Sequence, residues 1–253
     1  MKKKTIVINT SNTQYDLLAT VPRTYFHWVV SNDPNDDSDI YWMDTGMTAE
    51  ILSKMRNYQR VNHFPGMNVI ARKDYLARYL NYMQIHHPCE YNFYPRTWTI
   101  PRDMPGLRHM FSSKKPRTFI VKPEASCQGR GIFLTRKLDD VPEKCVVQRY
   151  IHQPYLIDNL KFDLRIYVLV TSCDPLRVYM HKEGLVRLAT EEYQSPLPKN
   201  LNSLCSHLTN YAINKTNPNF IFNKDSDEDS VGHKRSLTYL NNYFQAAGEN
   251  ITL

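Results

Sequence analysis

Three charged residues at alternating positions, Lys161, Asp163 and Arg165, open the stretch LKFDLRIYVLVTS, Leu160 to Ser172. On an extended backbone they point the same way, because successive side chains of a strand face opposite sides. Two cations around a carboxylate suit a phosphorylated ligand, whose oxygens accept charge-assisted hydrogen bonds. The other parity (Phe162, Leu164, Ile166, Val168, Val170) is wholly apolar, which predicts one continuous strand with a core face from end to end. Beyond Arg165 the second face also turns apolar, through Tyr167 and Leu169, so the charges are predicted to sit where a buried sheet opens into a cleft and to need a charged partner there.

A second candidate is FIVKPEASCQGRGI, in which Lys122 ends a strand and Gly129 and Gly131 occupy the turn Ser126 to Gly131. Backbone amides and one ammonium could surround a polyphosphate there. Neither GxxxxGK[ST] nor GxGxxG is present, which argues against a P-loop or a Rossmann site. With Gln148 on the next strand, Lys122, Gln148 and the Lys161, Asp163, Arg165 face are predicted to gather on three successive strands of one sheet.

The elements that must position these groups follow from pattern and punctuation. Thr5 to Ile8 reads as an edge strand, and Tyr25 to Val30 and the acidic loop NDPNDDSD follow without a firm assignment. Thr48 could cap a helix running to about Gln59, and Arg72 to Ile85 has helical spacing, with Leu76, Leu80 and Met83 on one side. Between them VNHFPG is a turn in which His63 reads as a loop hydrogen-bonder. Tyr94 to Ile100 is a strand, Arg102 to Arg117 a basic linker with Lys114 and Lys115, and Thr118 to Val121, Ile132 to Thr135 and Val146 to Tyr150 are further strands. Leu176 to His181 and Val186 to Ala189 read as a hairpin, and Ser236 to Ala247 as a closing helix.

The chain has 253 residues, 42% of them hydrophobic and 23% charged, which suits a globular protein of one large domain or two smaller ones. Its net charge of +7 suits an anionic partner without choosing among nucleic acid, membrane and acidic protein. Five widely spaced cysteines without a CxxC pair argue against disulfides and a zinc site. The opening MKKKTIVINT has too short an apolar run for a signal peptide, and no stretch approaches a membrane span, so a cytoplasmic protein is expected.

FIVKPEASCQGRGIFL, VVQRYI, KFDLRIYVLVTSCDPLRVYMHKEGLVRLAT and HLTNYAINK, with NHFPG and FYPRTW upstream, together resemble the tubulin tyrosine ligase-like family, on the side of its polyglutamylases. The resemblance covers about residues 58 to 247. It implies an α+β, ATP-grasp-like fold with antiparallel and mixed sheets and flanking helices, in which two sheets hold ATP. The domains expected are an N-terminal α/β domain (1–112), a central ATP-grasp domain (113–195) and the start of a C-terminal one (196–253), whose last strands are expected to be cut off.

The resemblance also implies roles. Lys122 would contact the ATP phosphates, and Gln128 and Gly129 would belong to the lid over them. Gln148, Arg149, Tyr150 and Ile151 would receive adenine; Lys161, Phe162 and Asp163, then Thr209 and Asn210, would be further ATP contacts. Arg165 would be the catalytic arginine directed at the terminal phosphate. Arg187 would pair with the carboxylate of the incoming amino acid, beside Tyr211 and Lys234, where Ala212 replaces a serine common in the family. The activity implied is an ATP- and Mg²⁺-dependent ligation of free L-glutamate to glutamate side chains of acidic tubulin tails through an acyl phosphate, by a monomer of the cytoskeleton, with cilium or basal body as candidate locations and no nucleic acid or membrane partner.

The family's Mg²⁺ ligands correspond to positions after Leu253, while Asp225, Asp227, Glu228 and Asp229 read as a solvated loop. The chain alone is therefore expected to be inactive. A catalytically silent module that binds tubulin or nucleotide is the alternative, and tubulin glycine ligation a third reading.

Overall fold

The computed structural model describes residues 5–46, 48–113, 117–124, 129–223 and 231–251. The chain divides into two compact units, residues 1–76 and 77–253. In the first, strand β1 (Val7–Asn12) leads to helix α1 (Leu17–Phe26), β2 (Val29–Ser31), β3 (Ile40–Met43), α2 (Ala49–Lys54), β4 (Arg60–Val61) and the short α3 (Asn68–Ala71). The strands form one parallel sheet in the order β2-β1-β3-β4. The expected edge strand is thus an inner one: Ile8 pairs with both Val30 and Ile40. Thr48 does cap α2, its hydroxyl accepting from the Ile51 amide at 3.3 Å, but the helix stops at Lys54 and Arg60 has already joined the sheet. His63 donates from Nε2 to the Met43 carbonyl at 2.8 Å, a loop contact as expected.

Helix α4 (Lys73–His86) spans the division and matches its periodic reading. The second unit continues with β5 (Thr97–Ile100), α5 (Met104–Phe111), β6 (Phe119–Lys122), β7 (Phe133–Thr135) and β8 (Cys145–Arg149). These strands pair antiparallel in the order β5-β8-β6-β7. Helix α5 occupies what read as a linker. Its Leu107 and Met110 join Trp98, Ile100, Phe119, Val121 and Val147 in a closed core, an apolar patch large enough to hold the segment in place. Pro105 sits in the first turn, where the missing amide hydrogen has no helical partner to lose.

Next come β9 (Leu156–Ile157), β10 (Leu160–Arg165), β11 (Val168–Cys173), β12 (Leu176–Met180) and β13 (Leu185–Leu188). The short helical turns α6 (Leu204–His207) and α7 (Tyr211–Asn214) follow, then β14 (Lys234–Ser236) and α8 (Leu237–Ala246), capped by Ser236 Oγ accepting from the Tyr239 amide at 2.9 Å. The order β14-β13-β10-β9 makes a second antiparallel sheet. Its apolar parity (Ile157, Phe162, Leu164, Val186, Leu188) packs with Leu237, Leu240 and Phe244 of α8. The polar parity is left to the opposite side.

Two expectations fail here. Leu160 to Ser172 is not one strand: β10 ends at Arg165, and β11 leaves to pair only with β12 as a two-stranded ribbon. The pairing ends at Arg165 opposite Leu185, the first residue of β13, and Gly184 just before it lies flush on the Arg165 carbonyl, where a Cβ would come within 2.3 Å. Beyond that point β10 has no neighbour, so the ribbon's strands satisfy each other. The expected hairpin of Leu176 to His181 with Val186 to Ala189 is therefore absent; β12 pairs with β11, and β13 with β10 and β14. Nor is the ribbon buried: Val168, Leu169, Leu176, Val178, Tyr179 and Met180 are all more than half exposed.

Candidate active site

Lys122 and Gln148 lie on neighbouring strands of the β5-β8-β6-β7 sheet, whereas Lys161, Asp163 and Arg165 belong to the β14-β13-β10-β9 sheet. The expected single sheet is therefore two sheets, meeting through side chains. Lys122 Nζ donates to Gln148 Oε1 at 2.8 Å, and Gln148 Nε2 donates to Thr97 Oγ1 at 2.9 Å, which engages the amide at both ends and fixes its orientation. From the second sheet, Lys161 Nζ donates to Tyr150 Oη at 3.0 Å and to the His207 carbonyl at 2.8 Å, and stands 4.5 Å from the centre of the Tyr150 ring. Burial pushes the Lys161 ammonium down to about 8; the neighbouring Asp163 opposes this and Lys122 adds to it.

Further along the polar face, Asp163, Arg187 and Lys234 stand in one row across β10, β13 and β14. The row alternates with the apolar one beneath it because side chains of paired strands share a face. Arg187 holds Asp163 by a two-pronged ion pair, Nε to Oδ1 at 2.7 Å and Nη2 to Oδ2 at 2.5 Å. The Lys234 ammonium sits over the Tyr211 ring at 3.9 Å, a cation–π contact. Arg187, Thr209, Tyr211 and Lys234 line a void of about 10 Å³ with Asn214 and His233.

The loop carrying Thr209 and Asn210 is held by Asn214, which is fully buried. Its Nδ2 donates to the Leu208 carbonyl at 2.8 Å and to the Asn210 carbonyl at 3.1 Å, while Oδ1 accepts from the Thr190 amide and hydroxyl. Gly129 has φ +83° and meets this loop so closely that a Cβ would stand 2.9 Å from Asn210 Cγ. A glycine is required on both counts.

Other expected site residues are placed differently. The Phe162 side chain faces the α8 core, leaving only its backbone toward the polar side. Arg165 is exposed at the strand end, Ile151 is 57% exposed, and Arg149 borders a hollow of about 150 Å³ with Arg117 and Arg136. Gln128, Ser126, Cys127, Lys114, Lys115 and the acidic cluster Asp225, Asp227, Glu228 and Asp229 lie outside the described residues. Among the described residues no three His, Cys, Asp or Glu side chains converge to hold a metal, and no helix is long and apolar enough to cross a membrane. The four described cysteines, Cys89, Cys145, Cys173 and Cys205, are free thiols.

Sequence reasoning assigned no role to His207, Thr97 or Asn214. His207 immediately precedes the Leu208 to Asn210 segment of HLTNYAINK, and its full burial is the signal that composition cannot carry.

The model of the tubulin-tyrosine ligase family matches residues 51–252. A "Probable beta-tubulin polyglutamylase" of Tetrahymena thermophila is 49% identical over 99% of this chain and 21% of its own length. Tubulin polyglutamylase TTLL6 of Mus musculus is 44% identical over 99% of this chain and 30% of its own, and tubulin polyglutamylase TTLL13 of Homo sapiens 43% identical over 98% and 30%. The chain thus spans less than a third of the length of these curated relatives. Since the family model covers most of the chain, and the motifs that hold Lys122, Lys161, Asp163 and Arg187 together fall inside it, this protein belongs to the tubulin-tyrosine ligase family.

Proposed function

We propose that the chain forms the nucleotide- and amino-acid-handling part of an ATP-dependent ligase that adds glutamate to glutamate side chains of acidic tubulin tails. The observation that carries this reading is the Lys122 and Lys161 pair: two ammonium groups from different sheets, close enough that the charge of one depresses the proton affinity of the other. A polyphosphate relieves that repulsion and accepts from both. The names of the relatives, all tubulin polyglutamylases, support the reaction class, and the net charge of +7 supports an acidic protein substrate.

The donor set fits ATP. Lys122 and Lys161 are cationic, Gly129 lets backbone approach closely, and Thr209 and Asn210 stand on a loop braced by Asn214. Bound ATP would supply the phosphoryl group that activates a substrate carboxyl as an acyl phosphate. Lys122 and Lys161 are this chain's own cations toward the phosphate charge, beside the Mg²⁺ that the reading also calls for. Lys122 and Lys161 would hold that charge in place, and Arg165, exposed at the end of β10, would be the cation left for the transferred group. Arg187 presents a fork suited to a carboxylate, with Lys234 beside it; in this state Asp163 fills that fork, so an incoming amino acid must share or displace it. The reading retains the ATP-grasp arrangement, with residues 113–195 and 196–253 contributing its two nucleotide-facing parts, and a cytoskeletal location follows from the substrate.

Calorimetric titration of the full chain with ATP tests the nucleotide part. Binding that Lys122→Ala weakens by about tenfold or more supports it, and absence of binding, or equal affinity in the variant, removes it. Labelled glutamate entering intact tubulin but not tubulin stripped of its acidic tails would support the substrate class, and equal labelling of both would refute it.

A further inference from the structure

Tyr150, His207 and Lys161 form a buried chain of hydrogen bonds whose direction can be read from the chemistry of its end. His207 Nε2 lies 3.1 Å from the Asn200 carbonyl, which can only accept, so Nε2 carries the proton. Nδ1 is then an acceptor, and at 3.2 Å from Tyr150 Oη it is nearer than the His207 carbonyl at 3.4 Å, which makes it the better acceptor for that hydrogen. With its hydrogen committed, Tyr150 Oη turns a lone pair to Lys161 Nζ at 3.0 Å, while the His207 carbonyl accepts a second ammonium hydrogen at 2.8 Å. Two of the three ammonium hydrogens are thereby assigned, and with no further hydrogen bond from Lys161 Nζ among the described residues the third is left for a ligand.

We propose that Tyr150 and His207 are positioning residues: together they fix the Lys161 ammonium so that its one uncommitted hydrogen faces an anionic ligand, the phosphate chain of a nucleotide. The inference rests on the function proposed above and adds to it a relay that aims one of its cations.

The surroundings suit that task. His207 is fully buried and Tyr150 nearly so, and Tyr193 closes the far side, its ring edge-on to His207 and its hydroxyl donating to the His152 carbonyl at 2.8 Å. Burial lowers the proton affinity of His207, an effect the Asn200 contact opposes and the Lys161 charge reinforces. Burial also pushes the Tyr150 hydroxyl well up, and the Tyr193 hydroxyl beside it adds to this, so Tyr150 keeps its hydrogen. The charged groups facing Lys161 are Asp163 on its own strand, itself engaged by Arg187 of β13, and Lys122 of β6. A cation this close to losing its proton depends on each acceptor around it.

Two measurements on the full chain test the relay. The first needs no ligand: long-range proton–nitrogen NMR spectra of ¹⁵N-histidine-labelled protein are expected to show His207 as the neutral Nε2–H tautomer from pH 6 to 8. An Nδ1–H tautomer, or protonation near pH 6.5, overturns the proposal. The second is ATP affinity against pH. In the wild type it is expected to fall as pH rises through about 8. Tyr150→Phe, which keeps the ring, is expected to weaken ATP by about tenfold at pH 7 and to move that fall to lower pH, because the ammonium has lost an acceptor. His207→Gln, which can still donate to Asn200 and accept from Tyr150, is expected to keep near wild-type behaviour, while His207→Phe copies Tyr150→Phe. Unchanged affinity and pH midpoint in Tyr150→Phe would sink the relay while leaving ATP binding standing. A wild type that binds no ATP removes the functional reading and this inference with it, whatever the tautomer.

Discussion

Replacing Lys161 by methionine should make the protein more stable at pH 7 and worse at holding a nucleotide. Folding lowers the proton affinity of the Lys161 ammonium from its ordinary 10.5 to about 8, and at about 1.4 kcal/mol per tenfold change this is a penalty of about 3 kcal/mol on the charged form. Methionine has similar length and no charge, so it removes the penalty. It also forfeits the hydrogen bonds to Tyr150 and to the His207 carbonyl, at about 0.5–1.5 kcal/mol each. The net gain is about 0–2 kcal/mol, or up to roughly 4–8 °C in Tm for a domain of this size. The pH dependence identifies the cause. Below about pH 8 folded and unfolded chains both carry the ammonium and the gap is constant. Between about 8 and 10.5 the unfolded chain still binds a proton that the folded chain has released, so wild-type stability rises and the gap closes. Urea unfolding of both proteins at pH 7 and pH 10 reads the difference directly. A variant less stable than wild type at pH 7, or a gap indifferent to pH, refutes the reasoning.

Arg187→Ala in an active protein containing this chain should raise KM for glutamate at least tenfold while changing KM for ATP little, because the lost fork serves a carboxylate; steady-state kinetics with each substrate varied in turn would show equal effects if Arg187 serves only the fold through Asp163. Gly129→Ala should cost about 1–3 kcal/mol, since it forces a side chain into φ +83° and against Asn210; chemical denaturation checks it, and a neutral result would mean the loop relaxes away from Asn210.

Much of the second unit is legible in the sequence. Helices α4 and α8 carry a clear 3.6-residue rhythm, and β5, β6, β7 and β8 are apolar runs bounded by Pro, Gly and charge. Helix α5 escaped because Pro105 and Gly106, together with basic neighbours, look like punctuation, although Leu107, Met110 and Phe111 have helical spacing. The break at Ile166 escaped for a different reason: alternation reports that a segment is extended, not which strand lies beside it, and the partner strand β13 reaches β10 only as far as Leu185 opposite Arg165. The same limit hid the division of the cations between two sheets. The charges themselves were legible as residue types. Their pairing was not, since Asp163 meets Arg187 only through the register of β10 on β13, and the part played by His207 depends on what lies on either side of its ring.

The two-stranded ribbon of β11 and β12 leaves its mark on how unevenly the chain is held together. Its amides are bonded across the pair, but its apolar side chains cover little and are covered by little, so almost no packing is lost when it opens. In a hydrogen–deuterium exchange experiment, residues 168–180 should take up deuterium within seconds to minutes, while β10 and β13, a few residues away at either end and closed over by α8, remain protected. The boundary should fall at the Arg165 carbonyl, where Gly184 presses against it: one continuous stretch of apolar sequence, written with a single rhythm, that melts in two parts.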